Sequence, residues 1–200
     1  MKKSILLLLF LYGFIHTVSA QDTPVRLGGK IGLNVANISS DPTLVEKSSG
    51  LGTEFGAFAR IGERFYVQPG VDFVSNKVTI QRTIQPRSGE SDEVRLHYVR
   101  APVLIGMENV YNSSSGSSTI FRVMAGPSFG YNVGVSDNNL DVRRRNIRNA
   151  QFSLHGGAGI RLLRFVELDL MYTHGLMTVF NDNDAEGKFR NISATIGFSI

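Results

Sequence analysis

The chain has 200 residues, of which 42% are apolar and 19% charged, a balance that excludes an intrinsically disordered tail. It contains 21 glycines and 13 phenylalanines but no cysteine, which excludes disulfides, thiolate nucleophiles and sulfur-ligated zinc. The formal net charge is +4, and removing Lys2 and Lys3 leaves 19 basic and 17 acidic residues. That bias is too weak to indicate a nucleic-acid partner.

The first twenty residues have the pattern of a secretory signal peptide. Lys2 and Lys3 precede an apolar run over 5–15, and the small residues of 18–20 follow. The run is shorter than the roughly 20 residues that a membrane-spanning helix needs. We therefore predict a signal peptide over 1–20, cleavage between Ala20 and Gln21, and an exported domain over 21–200. The alternative is an uncleaved N-terminal anchor.

From residue 25 onwards, apolar and polar side chains alternate with a period of two, which predicts β-strands with two different faces. In the first run, Leu27, Ile31 and Leu33 share one parity, while Arg26 and Lys30 share the other. Eight such runs follow one another, at 25–35, 51–61, 65–73, 98–107, 121–132, 151–162, 166–173 and 191–200.

The connections between these runs alternate between long and short. The long connections are 37–49, 75–92, 134–149 and 175–187, whereas 62–64 and 163–164 are short and 108–118 is intermediate. Successive connections of antiparallel neighbours lie at opposite ends, so one end is expected to carry four long loops and the other end tight turns. Bacterial outer-membrane barrels have this arrangement, with the short turns in the periplasm.

The two faces of the predicted strands differ sharply in composition. One parity is almost entirely aliphatic and aromatic, and the other carries ten charged residues. These are Arg26, Lys30, Glu54, Arg60, Asp72, Arg100, Arg122, Arg161, Glu167 and Asp169. A soluble lipocalin-like binding barrel would bury the apolar parity, whereas a membrane barrel turns it towards lipid.

Two further features favour the membrane alternative. Small residues recur on the polar parity, as a narrow interior requires, and aromatic residues such as Phe65, Tyr131 and Tyr172 lie near strand ends on the apolar parity. We therefore predict an all-β fold: an eight-stranded antiparallel up-and-down transmembrane β-barrel in the outer membrane.

Several segments resemble, in order, the strands of the Bacteroidota outer-membrane β-barrel family, whose members are porin-like or PorT-like. Residues 98–103 match its tyrosine-x-x-x-proline-aliphatic strand, and residues 126–131 match its glycine-proline-x-x-glycine-tyrosine strand. Residues 30–34 and 65–71 are similar to its first and third strands. Arg100 stands where the family usually carries an acidic residue. The resemblance implies the barrel fold, and either a porin-like role or the PorT-like role of an accessory barrel of the type IX protein-secretion system.

The charged parity predicts how the interior is filled. An eight-stranded barrel is just wide enough for its own side chains, and an unpaired charge in a dry interior is costly. We expect a plugged or very narrow lumen, with Arg122 or Arg161 paired to Glu167 or Asp169. The predicted function is that of a small integral outer-membrane barrel with a structural, interaction or porin-like role.

The remaining candidate sites concern partners and catalysis. Arg143, Arg144, Arg145 and Arg148 lie on a predicted external loop, where arginine forks suit the phosphates of lipopolysaccharide; the alternative is a solvated charged loop. We expect outer-membrane lipids and secretion-system components as the other partners, and no nucleic acid.

Catalysis has little support in the sequence. His97, His155 and His174 are scattered, and no Ser-His-acid spacing accompanies them, so an enzyme such as a lipid-modifying barrel is the weaker alternative. The acidic stretch 181–187 offers oxygen ligands without the full spacing of a calcium loop. We expect no metal and no cofactor.

Overall fold

A computed structural model describes residues 24–39, 46–81, 91–112, 118–136, 149–162, 165–178 and 188–200. Eight strands account for almost all of them: β1 (Val25–Ser39), β2 (Glu46–Gly62), β3 (Phe65–Gln81), β4 (Ser91–Asn112), β5 (Ser118–Val135), β6 (Ala150–Leu162), β7 (Val166–Thr178) and β8 (Lys188–Ser199). No helix among these residues has the length and apolar character needed to cross a membrane.

The strands form one closed barrel in sequence order, and each pairs antiparallel with its neighbours. The barrel closes between β1 and β8, where the backbones of Leu27 and Ile200 exchange two hydrogen bonds of 2.9 Å. Closure leaves no strand edge unpaired, which a bilayer requires because lipid cannot satisfy backbone N–H and C=O groups. The predicted eight-stranded antiparallel barrel is therefore confirmed.

The strands are longer than their alternating segments. β4 covers 91–112 although the pattern is clear only over 98–107. The described residues of the predicted connections 75–92 and 108–118, namely 75–81, 91–92, 108–112 and 118, are strand. Backbone pairing between β4 and β5 continues beyond the alternating segment, as far as Asn112 and Ser118. The prediction that placed Glu108 in a connection was therefore wrong: Glu108 belongs to β4 and pairs with Arg122 of β5.

The two faces point as a membrane barrel requires. Ile31 is 65% exposed and Phe65 is 70% exposed on the outside, whereas Arg60 and Glu167 are fully buried inside. A soluble barrel would show the reverse. The lipocalin-like alternative is therefore wrong.

We call the end that carries the connections 63–64, 113–117 and 163–165 the turn end, and the opposite end the loop end. Aromatic side chains face outwards near the turn end, at Phe65, Phe165 and Phe198, and the last two stack with ring centroids 6.5 Å apart. Such rings mark the interface between hydrocarbon and headgroups in membrane barrels. The turn between β2 and β3 uses Gly62 at a φ of 120°, which a side chain would disfavour.

Candidate functional site

The charged interior separates into two groups of side chains. The larger, which we call the turn-end cluster, contains Arg26, Arg60, Glu108, Arg122, Arg161, Glu167 and Asp169. The smaller, the middle cluster, contains Lys30, Glu54, Asp72 and Arg100. All ten charged residues predicted for the interior thus take part in ion pairs inside the barrel.

Arg60 lies at the centre of the turn-end cluster. Its Nη1 and Nη2 donate to the two carboxylate oxygens of Glu167 at 2.8 and 3.1 Å, and Nη1 also donates to Glu108 at 3.1 Å. Its Nε and Nη2 donate to Gln68 Oε1 at 2.9 and 2.7 Å. The guanidinium lies over the Tyr66 ring, 4.8 Å from its centroid. Every donor-bearing nitrogen of this buried cation therefore has a partner.

Glu108 is the member that sequence reasoning missed. Its Oε1 accepts from Arg60, while its Oε2 accepts from Arg26 and from Arg161, both at 2.9 Å. One carboxylate therefore holds arginines from β1, β2 and β6. The sequence could have indicated its direction, because Glu108 has the same inward parity as Arg100 and Leu104. Glu108 was missed because it comes directly after the last residue of the clear alternation.

Arg122 pairs with the two acidic residues that β7 contributes to the cluster. It donates from Nε to Asp169 Oδ1 at 2.9 Å, and its Nη1 lies 2.9 Å from Glu167 Oε2. Arg161 reaches Glu167 only at 3.8 Å, since its main partner is Glu108. The predicted pairing of Arg122 with Glu167 or Asp169 is thus present in the structure, whereas Arg161 chiefly contacts the residue that was not anticipated.

The turn-end cluster requires a glycine at position 159. On β6 it lies between Arg122 of β5 and Asp169 of β7. A Cβ atom there would come within 3.0 Å of Arg122 Nε and closer still to the Asp169 carboxylate. The glycine therefore leaves the space in which the Arg122–Asp169 pair forms.

The middle cluster joins four neighbouring strands, β1 to β4. Asp72 accepts from Lys30 at 3.1 Å and from Arg100 Nη2 at 3.0 Å, and Arg100 also reaches Glu54 at 3.3 Å. Arg100 is therefore balanced by two carboxylates. Its charge lies inside the barrel and is mostly shielded from solvent.

His155 is held between two hydroxyl groups inside the barrel. Its Nε2 lies 2.7 Å from Ser128 Oγ, and its Nδ1 lies 3.0 Å from Thr173 Oγ1. The sequence did not reveal this contact, because the three residues come from β5, β6 and β7. His97 instead stacks on Phe73 on the outside. Where a catalytic triad has a carboxylate at the second ring nitrogen of its histidine, His155 has the neutral hydroxyl of Thr173.

Neutral side chains occupy other parts of the lumen that the structure describes. Leu104, Met124 and Met171 pack against one another, and nearer the loop end Asn191 donates to Asn76 Oδ1 at 3.3 Å, from β8 to β3. Buried apolar side chains lie near them, namely Ala36, Val74, Leu96 and Phe189.

Comparison with known proteins identifies the family to which this barrel belongs. A family model described as "Outer membrane protein beta-barrel domain" matches residues 19–181. The chain belongs to this family. Its members are barrels of the outer membrane, which is where the inverted faces of this barrel also place it. No curated protein matches the sequence.

Several solved bacterial proteins align with most of this chain at low sequence identity. Ail of Yersinia pestis, crystallised with the heparin analogue sucrose octasulfate, is 11% identical over 88% of this chain and 99% of its own, with a TM-score of 0.47. Neisserial surface protein A is 11% identical over 89% and 99%, with a TM-score of 0.44. The N-terminal barrel of Pseudomonas aeruginosa OprF is 10% identical over 86% and 97%, with a TM-score of 0.41.

Several predicted features lie outside the described residues. These are the signal peptide over 1–20, the acidic stretch 181–187, and Arg143, Arg144, Arg145 and Arg148. Within the part of the chain that the structure describes, no group of three or more histidine, aspartate and glutamate side chains could hold a metal ion.

Proposed function

We propose that this protein is a small integral outer-membrane barrel whose lumen is closed by its own side chains, and that it acts as a structural or interaction protein with a porin-like architecture. The observation that carries the proposal is the pairing of Arg60 on β2 with Glu167 on β7, both fully buried. A conducting pore would leave such side chains in contact with water.

The energetics of the interior support a closed lumen. Burying a charge is favourable only when its partners replace the water it loses, and removing one partner of a buried pair costs about 3 to 5 kcal/mol. Glu108 and Arg60 each have partners on several strands, so opening a path would break several contacts at once. The network therefore opposes a transient pore.

Conductance in planar lipid bilayers tests the proposal. The purified barrel should insert without producing stable current steps, whereas a general porin measured in the same bilayers should produce them. Reproducible steps from the wild-type protein would refute the closed lumen. Migration on an unheated gel, compared with a boiled sample, checks that the inserted protein is folded.

The alternative is a PorT-like accessory barrel of the type IX secretion system, supported by the strand motifs at 98–103 and 126–131. Such a role needs a surface for partners, and Val110 and Tyr111 are exposed on the β4 extension at the turn end. Deleting the gene and comparing the secreted proteins tests this role. Unchanged secretion would reject it.

We propose no catalytic role for Ser128 and His155. Ser128 is only 4% exposed, and its histidine is oriented by a threonine, which suits a packed hydrogen-bonded chain. Incubating the barrel with lipopolysaccharide extracts and analysing the lipid by mass spectrometry tests this assignment. A modified lipid that disappears with Ser128→Ala would overturn it.

Contact of Arg143, Arg144, Arg145 and Arg148 with lipopolysaccharide phosphates is a further part of the proposal, supported by the affinity of arginine forks for phosphate. Replacing all four with glutamine should weaken co-purification of lipopolysaccharide with the barrel. Equal retention by both proteins would indicate a solvated loop.

A further inference from the structure

A pocket of about 390 Å³ opens at the turn end of the barrel, beside the turn-end cluster. Its charged lining includes Arg26, Arg64 and Arg161 together with Glu63 and Glu108. Val110 and Ile120, on the β4–β5 hairpin, form an apolar wall. The volume lies in the range of small-molecule sites.

The charges of this pocket are not balanced. The Glu108 carboxylate already accepts from Arg26, Arg60 and Arg161. The exposed guanidinium of Arg64 forms no ion pair with any other residue that the structure describes. Three arginines thus face two carboxylates, and one of these carboxylates is fully engaged.

A second observation points to a missing acceptor. Arg161 is 6% exposed, and its buried Nε–H has no hydrogen-bond partner within the described parts of the chain. An unsatisfied buried donor costs about 1 to 3 kcal/mol, and more when it is charged. An anion with several acceptor oxygens would satisfy Arg161 Nε and Arg64 together.

The position of the pocket indicates which anions it can meet in the cell. The short turns of bacterial barrels face the periplasm, and the outward rings of Phe65, Phe165 and Phe198 lie at this end. Those rings mark the headgroup level of the inner leaflet. Arginine forks match the geometry of phosphate oxygens better than lysine does.

We propose that this pocket binds a phosphate group at the periplasmic mouth of the barrel, through Arg64, Arg26 and Arg161. Two sources carry this chemistry, namely the headgroup of an inner-leaflet phospholipid and a soluble periplasmic phosphate. Arg26 and Arg161 also belong to the turn-end cluster, but phosphate binding and conductance are measured separately, so failure of one proposal is distinguishable from failure of the other.

Titration calorimetry on the whole barrel in a phosphate-free maltoside detergent tests the site. Inorganic phosphate represents the soluble source, and glycerophosphoethanolamine represents the lipid headgroup. We expect saturable binding of at least one of them, weakened about tenfold or more by Arg64→Ala, since a charge-assisted hydrogen bond contributes about this factor. Binding of only one ligand identifies the source.

Arg95→Ala is the matched control, because Arg95 is an exposed arginine of β4 at the loop end. It removes the same charge and should leave affinity unchanged. Absence of binding by both ligands, or an equal loss in Arg64→Ala and Arg95→Ala, would overturn the proposal. In barrel labelled with ¹⁵N-arginine, the ligand should also shift the Arg161 Nε–H resonance, and an unmoved resonance would remove Arg161 from the site.

Discussion

Arg60 and Glu167 stand 107 residues apart in the sequence and form two hydrogen bonds across the interior of the barrel, at 2.8 and 3.1 Å. Their strands, β2 and β7, are not neighbours in the sheet. The contact therefore joins two walls of the barrel through its lumen, whereas the backbone ladder joins only adjacent strands. It gives the interior a connection that the sheet alone lacks.

Removing one partner of this pair should be costly. We expect Arg60→Ala to lower the free energy of unfolding by about 3 to 5 kcal/mol, because it removes three hydrogen bonds from the buried carboxylates of Glu167 and Glu108. Denaturant unfolding in lipid vesicles measures the change. Arg95→Ala, at an exposed site, should change stability by less than about 0.5 kcal/mol. A loss below about 1 kcal/mol in Arg60→Ala would contradict the interpretation.

The double variant Arg60→Met with Glu167→Met should be less destabilising than the sum of the two single variants. Replacing both members of a buried ion pair by apolar residues of similar volume is often neutral for stability. Replacing only one member leaves the other charge buried without that partner. The double-mutant cycle measures this coupling. Additive losses would show that the two residues do not interact energetically.

Glu108→Gln should destabilise the barrel, since a neutral amide replaces the acceptor of three arginines. Loss of a charge-assisted hydrogen bond costs about 1.5 to 3 kcal/mol, which we take as the expected decrease. Glu63→Gln, in the exposed turn, provides the control with the same chemical change. Similar unfolding midpoints for the two variants would argue against a central role for Glu108.

Two glycines of β6 should respond differently to the same added methyl group. Gly159→Ala is expected to cost about 1 to 3 kcal/mol, because its Cβ would crowd Arg122 and Asp169. Gly156→Ala should be nearly neutral, since no atom lies within 4 Å of the Cβ position. Unfolding of both variants under identical conditions checks the difference, and equal stability would contradict it.

The mature protein should begin at Gln21, because Ala20 ends the small-residue motif that signal peptidase recognises. N-terminal sequencing of the barrel isolated from outer membranes checks this site. Retention of residues 1–20 would instead support the anchor alternative.

The period-two alternation determined the number of strands and divided their side chains between two faces, and the small residues of the polar parity together with the aromatic residues near strand ends indicated which face is the interior. Alternation is a local property, because successive side chains of a strand point to opposite faces. Arg60 and Glu167 could therefore be assigned to the interior before any contact was known. The pattern could not mark the end of β4, where polar Asn109 and apolar Val110 break the alternation, so Glu108 was missed.

Only the tertiary structure decided which interior residues meet. Contacts within the lumen depend on the stagger of the strands as the sheet closes, and this places residues of non-adjacent strands at the same height. Glu108 therefore holds arginines of β1, β2 and β6, and His155 lies between Ser128 and Thr173. The sequence supplied the charges and their inward direction, and the closure of the sheet selected their partners.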